Sequence, residues 1–469
     1  IVLEVAVPPS SPVRSFQLTA VNPLPEENAA RLVSVSRRAG SPSAGVRQSG
    51  DDRDSVRVGP GSRVWAWGDA ADGERTWDVE TADSALWPPV APVAVSYTYE
   101  PSAGSTSQSG AGVSGGADAL PQPPTVRLQT PDGTFEVRVR PGRHEVVLYP
   151  QGEGVEASRV AVQSAIPGFT VTAIAPSFTR AAGDPLPANE PLPADLGTIL
   201  RYPVSLWRSP SHELFRWMLY PEVLVIDTAD YATQARFFKR LAFFVEKEGS
   251  RGQLLTDDEL AGRHGYNAHN YSGEGLAAFF TRAAVEAFQL SREEELLREI
   301  VRSEGIIVRD GAGYAPGTGG ILSVSQESWG IPGLRELLVT HEAYHGVYYG
   351  DPGYEASIES LWDTLTANEK RFWLLLLDGM QYDIEDDYLI TNEFQAYLLQ
   401  QPVRSASWYF EVRSADRLRR WKPAEATWID AFLASSGGTF REQAERANAL
   451  LFESAGLIAG DVFCLVPVE

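Results

Sequence analysis

At 469 residues the chain is long enough to hold two to four domains and to bury a core in each. Its 62 acidic against 40 basic side chains, a formal net charge of -22 and a sequence pI near 4.8, would repel phosphates, so nucleic acid and an anionic membrane surface are poor partners. The longest apolar stretch, Phe372 to Leu377, is too short to cross a bilayer. Cys464 is the only cysteine; it allows no intrachain disulfide and is expected to be buried near the C-terminus.

Taken in chain order, residues 1–100 read as an all-β region. Short β-like runs (Ile1 to Val7, Phe16 to Ala20, Ser55 to Val58, Val64 to Trp67) alternate with proline and glycine turns. Residues 101–124 are rich in serine, glycine, alanine and proline, the composition of a flexible linker or long mobile loop. Residues 125–180 resume strand signals in TVRLQT, TFEVRVR and HEVVLYP, and the Asp132-Gly133 step predicts a hairpin between the first two. A small sandwich-like region is the natural reading. Trp65, Trp67, Trp77 and Trp87 would suit stacking on a glycan or cell-surface ligand if exposed, with core packing the competing explanation. The prolines between Ala181 and Pro193 separate this part from a mainly helical second half, residues 194–469.

In that half, Val223 to Asp227 reads as a strand and Tyr231 to Lys247 as a helix with Phe237, Leu241, Phe244 and Val245 on one face. Arg263 to Ser272 (RHGYNAHNYS) reads as a polar, turn-like segment whose His264, Tyr266, His269 and Tyr271 are candidates for contacting substrate. Ser291 and Glu294 form a capping box for a helix reaching about Glu304. Ile306 to Arg309 and Ile321 to Ser325 read as strands. The second, carrying Ser323, is expected at the sheet edge where an extended substrate would pair, and Gly317, Thr318, Gly319 and Gly320 before it would admit a backbone closely.

Leu334 to Tyr349 has the apolar spacing of an amphipathic helix, opened by Pro332-Gly333 and closed by Gly346 and Gly350 with Asp351 and Pro352. Within it His341, Glu342, Ala343, Tyr344 and His345 spell HExxH. Positions i and i+4 lie on one helix face, so both imidazoles can reach one ion, while Glu342 lies beside them as a base for a metal-activated water. A third ligand is required. Tyr348 stands where a metzincin continuation needs glycine, and no histidine follows His345, which leaves carboxylates: Asp351, Glu355, Glu359, Glu385 or Glu393. Glu393 is preferred, because Tyr388 to Gln400 has helical spacing and the small Ala396, one turn along, permits close approach of two helices; Glu355 and Glu359 come next. Farther on, Arg417, Arg419, Arg420 and Lys422 suit the end of a helix, Pro423 opens another, and Thr439 with Glu442 predicts a capped one.

HEAYH, followed 48 residues after His345 by the glutamate of NEFQAY, resembles the gluzincin group of zinc metallopeptidases over Leu334 to Tyr397. The resemblance implies a zincin-like α+β catalytic domain, zinc (Zn2+) held by His341, His345 and Glu393, and Glu342 as general base. Gluzincins often add a histidine or tyrosine that steadies the oxyanion. With no such histidine here, Tyr397, Tyr388, Tyr382, Tyr348 and Tyr349 are the phenols available, and Tyr397 is preferred. The chain departs from the group in placing Tyr397 where an aspartate is usual, one turn after the third ligand.

These observations predict a multidomain zinc peptidase acting on peptide or protein substrates, with His269, Tyr271 and Ser323 touching the substrate. A binding or adhesion protein on a zincin-like fold is the alternative. A start at Ile1 without methionine or leader suggests a trimmed or processed N-terminus, hence a secreted, periplasmic or cell-surface protein.

Overall fold

The computed structural model describes residues 57–58, 62–68, 75–81, 93–101, 123–130, 133–148, 159–176, 187, 189–327, 329–331, 333–462 and 466–467. The expected strands at Ile1 to Val7 and Phe16 to Ala20, most of the 101–124 segment, Trp87 and Cys464 lie outside these residues, as do the side chains of Trp65, Trp67 and Trp77. The chain divides into two compact units, residues 1–181 with 463–469, and residues 182–462.

The first unit contains β1 (Arg57–Val58), β2 (Ser62–Gly68), β3 (Arg75–Thr81), β4 (Val93–Tyr99), β5 (Thr125–Thr130), β6 (Gly133–Arg138), β7 (Gly142–Leu148), β8 (Arg159–Ser164), β9 (Phe169–Pro176) and a C-terminal strand, Val466–Pro467. One sheet runs β1-β9-β4-β7; the other begins with the C-terminal strand and continues β6-β5-β8-β3-β2. Alternation sets which face is buried: Val126 and Leu128 point inward while Thr125, Arg127 and Gln129 are exposed. The hairpin predicted at Asp132-Gly133 is present, with Thr130 paired to Gly133. The expectation of separate β regions at 1–100 and 125–180 is corrected. β4 lies between β9 and β7, and β8 between β5 and β3, so strands from both regions interleave, and Val466 pairs with Glu136 although it falls in the span assigned to the helical half. Pairing between strands distant in sequence leaves no local pattern to read.

The second unit is mainly helical. It contains β10 (Leu192–Ala194), α1 (Leu196–Arg201), β11 (His212–Trp217), β12 (Val223–Thr228), α2 (Tyr231–Val245), α3 (Asp257–Leu260), β13 (His269–Ser272), α4 (Gly273–Val285), α5 (Arg292–Ser303), β14 (Ile307–Asp310), β15 (Gly313–Pro316) and β16 (Gly320–Ser325). Seven helices follow: α6 (Leu334–Gly350), α7 (Pro352–Asp363), α8 (Ala367–Gly379), α9 (Asp387–Leu399), α10 (Ala415–Trp421), α11 (Ala426–Ser435) and α12 (Thr439–Ala455). Among the described residues no helix is long and apolar enough to cross a membrane. The α5 capping box forms as its spacing predicts. At α12 the expectation fails: Gly438, at φ 89°, occupies the cap position, and the Thr439 hydroxyl bonds Glu369 instead.

The central sheet runs β10-β11-β12-β16-β13. On one face α2 packs Phe237, Phe238 and Leu241 against Leu224, Ile226 and Ile321. On the other lies α6, whose Gly346 is the reason it can lie so close: a Cβ there would stand 3.0 Å from the Trp217 ring and 3.4 Å from Val223. Arg335 in the first turn of α6 grips the buried Asp227 of β12 through both oxygens, at 3.0 and 2.6 Å, and also donates to the Ser325 carbonyl. That pair fixes the start of α6 over the C-terminal ends of β12 and β16.

Two further expectations are corrected. β16 is an inner strand, parallel to β12 and antiparallel to β13, so the sheet edge is β13, inside the segment read as turn-like. The glycines before β16 accommodate the chain's own backbone: a Cβ on Gly319 would fall 1.9 Å from the Glu222 carbonyl oxygen, and one on Gly317 equally close to that of Gly305.

Asp227→Ala is expected to destabilise the protein by about 3–5 kcal/mol, because it leaves the Arg335 guanidinium unpaired, whereas Asp227→Leu with Arg335→Met should recover most of the loss. Urea denaturation of the two variants checks this.

Candidate metal centre

Helices α6 and α9 assemble the site. His341 and His345 project from successive turns of α6, and Glu393 comes from the middle of α9; all three are buried, at 6, 0 and 2 % exposure. The two Nε2 atoms are 3.1 Å apart, and each lies 3.6 Å from a Glu393 carboxylate oxygen. For a tetrahedral ion bonded at ~2.0–2.1 Å the ligand atoms sit about 3.3 Å apart, so this spacing fits a metal. One ligand atom from each residue lies within 4.8 Å of the others. Glu393 Oε2 is buried without a hydrogen-bond partner, a condition that coordination would relieve.

The histidines are prepared as ligands. Burial pulls both down to about pKa 4, so they are neutral near pH 7. The His345 Nδ1–H donates to Asn392 Oδ1 at 2.8 Å, which leaves its Nε2 lone pair directed at the site. Asn392 Oδ1 is itself held by Gln395 Nε2, and the Tyr354 hydroxyl donates to Gln395 Oε1. His341 Nδ1 meets no partner of good geometry, although the Ala396 carbonyl and the Gln400 side chain act on it and oppose the fall in its pKa.

Glu342, 5 % exposed, accepts a hydrogen bond from Asn270 Nδ2 of the edge strand at 3.2 Å. Burial drives its pKa well above the ordinary carboxylate range; the Glu393 charge adds to the rise and Asn270 opposes it. Glu393 is also raised by burial, with His345, the Tyr382 phenol and Lys247 pulling the other way. A third carboxylate, Glu246 just past α2, is buried and raised well above its usual value, again chiefly by desolvation. The Lys247 charge opposes the rise at Glu246 and Glu393. A cation bound among these three carboxylates would favour the ionised forms that burial disfavours.

The remaining candidates divide by strand phase. Asn270 pairs with Leu322, whose side chain touches α6 at Gly346, while His269 pairs with Ser323 on the opposite face. Ser323 accordingly bonds Gln234 of α2 at 3.1 Å, and His269 and Tyr271 bond each other at 3.1 Å and stack on Phe238. All three residues expected to touch substrate therefore point away from the triad. Tyr397 does reach it, its ring edge-on to His341 at 4.6 Å, with its hydroxyl 3.3 Å from that of Tyr382. Tyr266 stacks on Tyr382 with Lys247 3.6 Å above its ring. Tyr348 bonds Thr391, Tyr349 keeps a buried hydroxyl without a partner, and Tyr388 packs its ring against Tyr348 at 40 % exposure. His264 pairs with Tyr231, Asp351 caps α7, and Glu355 and Glu359 belong to α7 rather than to the ligand cluster.

Asn270, Asn392, Glu246 and Lys247 were not singled out from the sequence. The alternation of His269, Asn270, Tyr271 and Ser272 would have signalled the first, but four residues are too few to separate a strand from a turn. No family model matches the chain, and no curated protein or solved structure matches it.

Two outcomes follow, the first testing the centre and the second the burial of His269 on the α2 face. Asn392→Ala is expected to weaken zinc or cobalt binding by about 10- to 100-fold without unfolding the protein, measured by competition with a chromophoric chelator. His269, held down to about pKa 3 by burial first and then by the Lys247 and His264 charges, binds its proton in the unfolded chain but not in the folded one across the window below 6.5. Its stabilising contribution is complete above that pH and falls as the pH drops toward 3, by roughly 2 kcal/mol between pH 7 and 5. His269→Gln should flatten that part of the stability–pH curve in chemical denaturation.

Proposed function

We propose that this chain is a zinc-dependent peptidase of zincin-like architecture, with His341, His345 and Glu393 as the metal ligands and Glu342 as general base. The observation that carries the reading is the fourth buried group. A site built only to hold an ion needs its three ligands, whereas Glu342 adds a carboxylate beside them, held by a hydrogen bond from a different element. A neutral-histidine, single-carboxylate ligand set is also the chemistry zinc favours at hydrolytic centres.

Bound zinc would lower the pKa of a water and polarise a substrate carbonyl. With a metal in place, Glu342 would accept a proton from the attacking water and later pass it to the leaving amine, a role suited to a carboxylate whose burial raises its proton affinity. Asn270 orients it. Tyr397, beside His341, supplies a phenol for the developing oxyanion, provided its hydroxyl turns from Tyr382. The β13 edge, unpaired on its outer side, suits an extended peptide laid alongside as an additional strand.

The test is cleavage of unfolded protein substrates by zinc-loaded wild type and Glu342→Gln, with zinc content measured on both. Stoichiometric zinc in both proteins and a drop of about 10²–10⁴-fold in turnover for the variant support the reading. Full zinc occupancy without wild-type cleavage across a broad panel points instead to a binding or adhesion protein, and absence of stoichiometric zinc removes the mechanism.

A further inference from the structure

We infer that Asn270 is a positioning residue that joins substrate docking to proton transfer: its side-chain amide holds Glu342 while its main-chain N–H and C=O receive the substrate backbone. The inference rests on the peptidase reading above and adds to it a residue that no sequence motif marks.

The register of β13 carries the argument. In an antiparallel pair, residues alternate between exchanging both main-chain bonds with the partner strand and turning both outward. The Gly273 N–H donates to the Gly319 carbonyl at 3.0 Å, continuing the ladder in which Tyr271 faces Ile321 and His269 faces Ser323. From the other strand, the Gly320 N–H donates to the Glu222 carbonyl at 3.2 Å, beside β12, so Gly320 turns its main chain away from β13. Both observations set the same phase. His269 and Tyr271 bond inward to β16, and Asn270 turns its N–H and C=O to the outer side of the sheet, where β13 has no neighbouring strand among the described residues.

The same residue presents its side chain to α6, where Nδ2 donates to Glu342 Oε2 at 3.2 Å and leaves Oε1 outside that bond. Its neighbours keep it in place. His269 and Tyr271 are each 2 % exposed, stack on Phe238 and bond each other. β13 is thus anchored on its α2 face, and Asn270 is the rigid link between the outer edge and the base. An extended peptide that adds to the edge bonds the residue whose amide aligns Glu342, so backbone capture and base alignment become one event.

Three protein variants and one peptide series test this. Asn270→Ala should lower kcat by about 10- to 100-fold with KM within about twofold, and zinc content and melting temperature unchanged, because it removes only the hold on Glu342. Asn270→Pro also removes the outward N–H while sparing the β16 ladder, so it should in addition weaken binding of a substrate peptide, measured by fluorescence anisotropy in the non-cleaving Glu342→Gln background, by about tenfold or more. Asn270→Asp, which faces Glu342 with a like charge, should be slower than Asn270→Ala. In the fourth arm, single N-methyl groups walked along the peptide should weaken its binding to the Glu342→Gln protein at alternate positions only. An unchanged kcat in Asn270→Ala overturns the side-chain role. Equal peptide affinity in the Ala and Pro variants, or indifference to N-methylation, overturns the main-chain role. Failure of the wild type to bind zinc or cleave overturns the peptidase reading itself and is seen before any Asn270 variant is made.

Discussion

Two imidazoles one helical turn apart hold a metal only if a third donor reaches them, and in this protein that depends on α6 and α9 lying against each other. The hydrogen bond from His345 Nδ1 to Asn392 is the contact that joins the two helices at the site. It does two things at once: it selects the tautomer that leaves Nε2 free, and it places Glu393, the next residue, opposite both rings. The Tyr348 hydroxyl, 3.0 Å from Thr391, repeats the connection one residue earlier on α9. Upstream, Asp227 and Arg335 fix where α6 begins, and Gly346 lets it settle onto the sheet.

Electrostatics sets a second constraint on the same place. Burying an ionised carboxylate costs several kcal/mol unless charge or hydrogen bonds compensate it, and Glu246, Glu342 and Glu393 are all buried around one centre. Lys247 offsets part of this at Glu246 and Glu393, and the hydrogen bond from Asn270 opposes it at Glu342. A cation bound there would stabilise the ionised forms that burial disfavours. Stability and metal binding are therefore linked in this unit, since a ligand that binds only the folded state stabilises it by mass action.

The sheet face separates residues that the sequence places side by side. His269 and Tyr271 serve the α2 face as aromatic core, whereas Asn270 between them serves α6. A period of two makes such an assignment all or nothing: a shift of one residue exchanges every side chain between core and site. Ser323 belongs to the same phase as His269, being its register partner, and so falls on the same side.

The ligand triad was legible in the sequence because its signals are local or nearly so. HExxH needs only helical periodicity to converge, α5 and α9 announce themselves through capping and apolar spacing, and Glu393 is preferred among five remaining carboxylates because its segment has helical spacing. Tertiary structure alone decided which strand forms the sheet edge, how strands on either side of the 101–124 segment interleave, that Gly438 rather than Thr439 caps α12, and which residue bonds Glu342. The physical reason is range. A helix closes its hydrogen bonds within itself, so its side-chain faces follow from a stretch of sequence, whereas a strand is completed by a partner that the intervening chain can bring from anywhere.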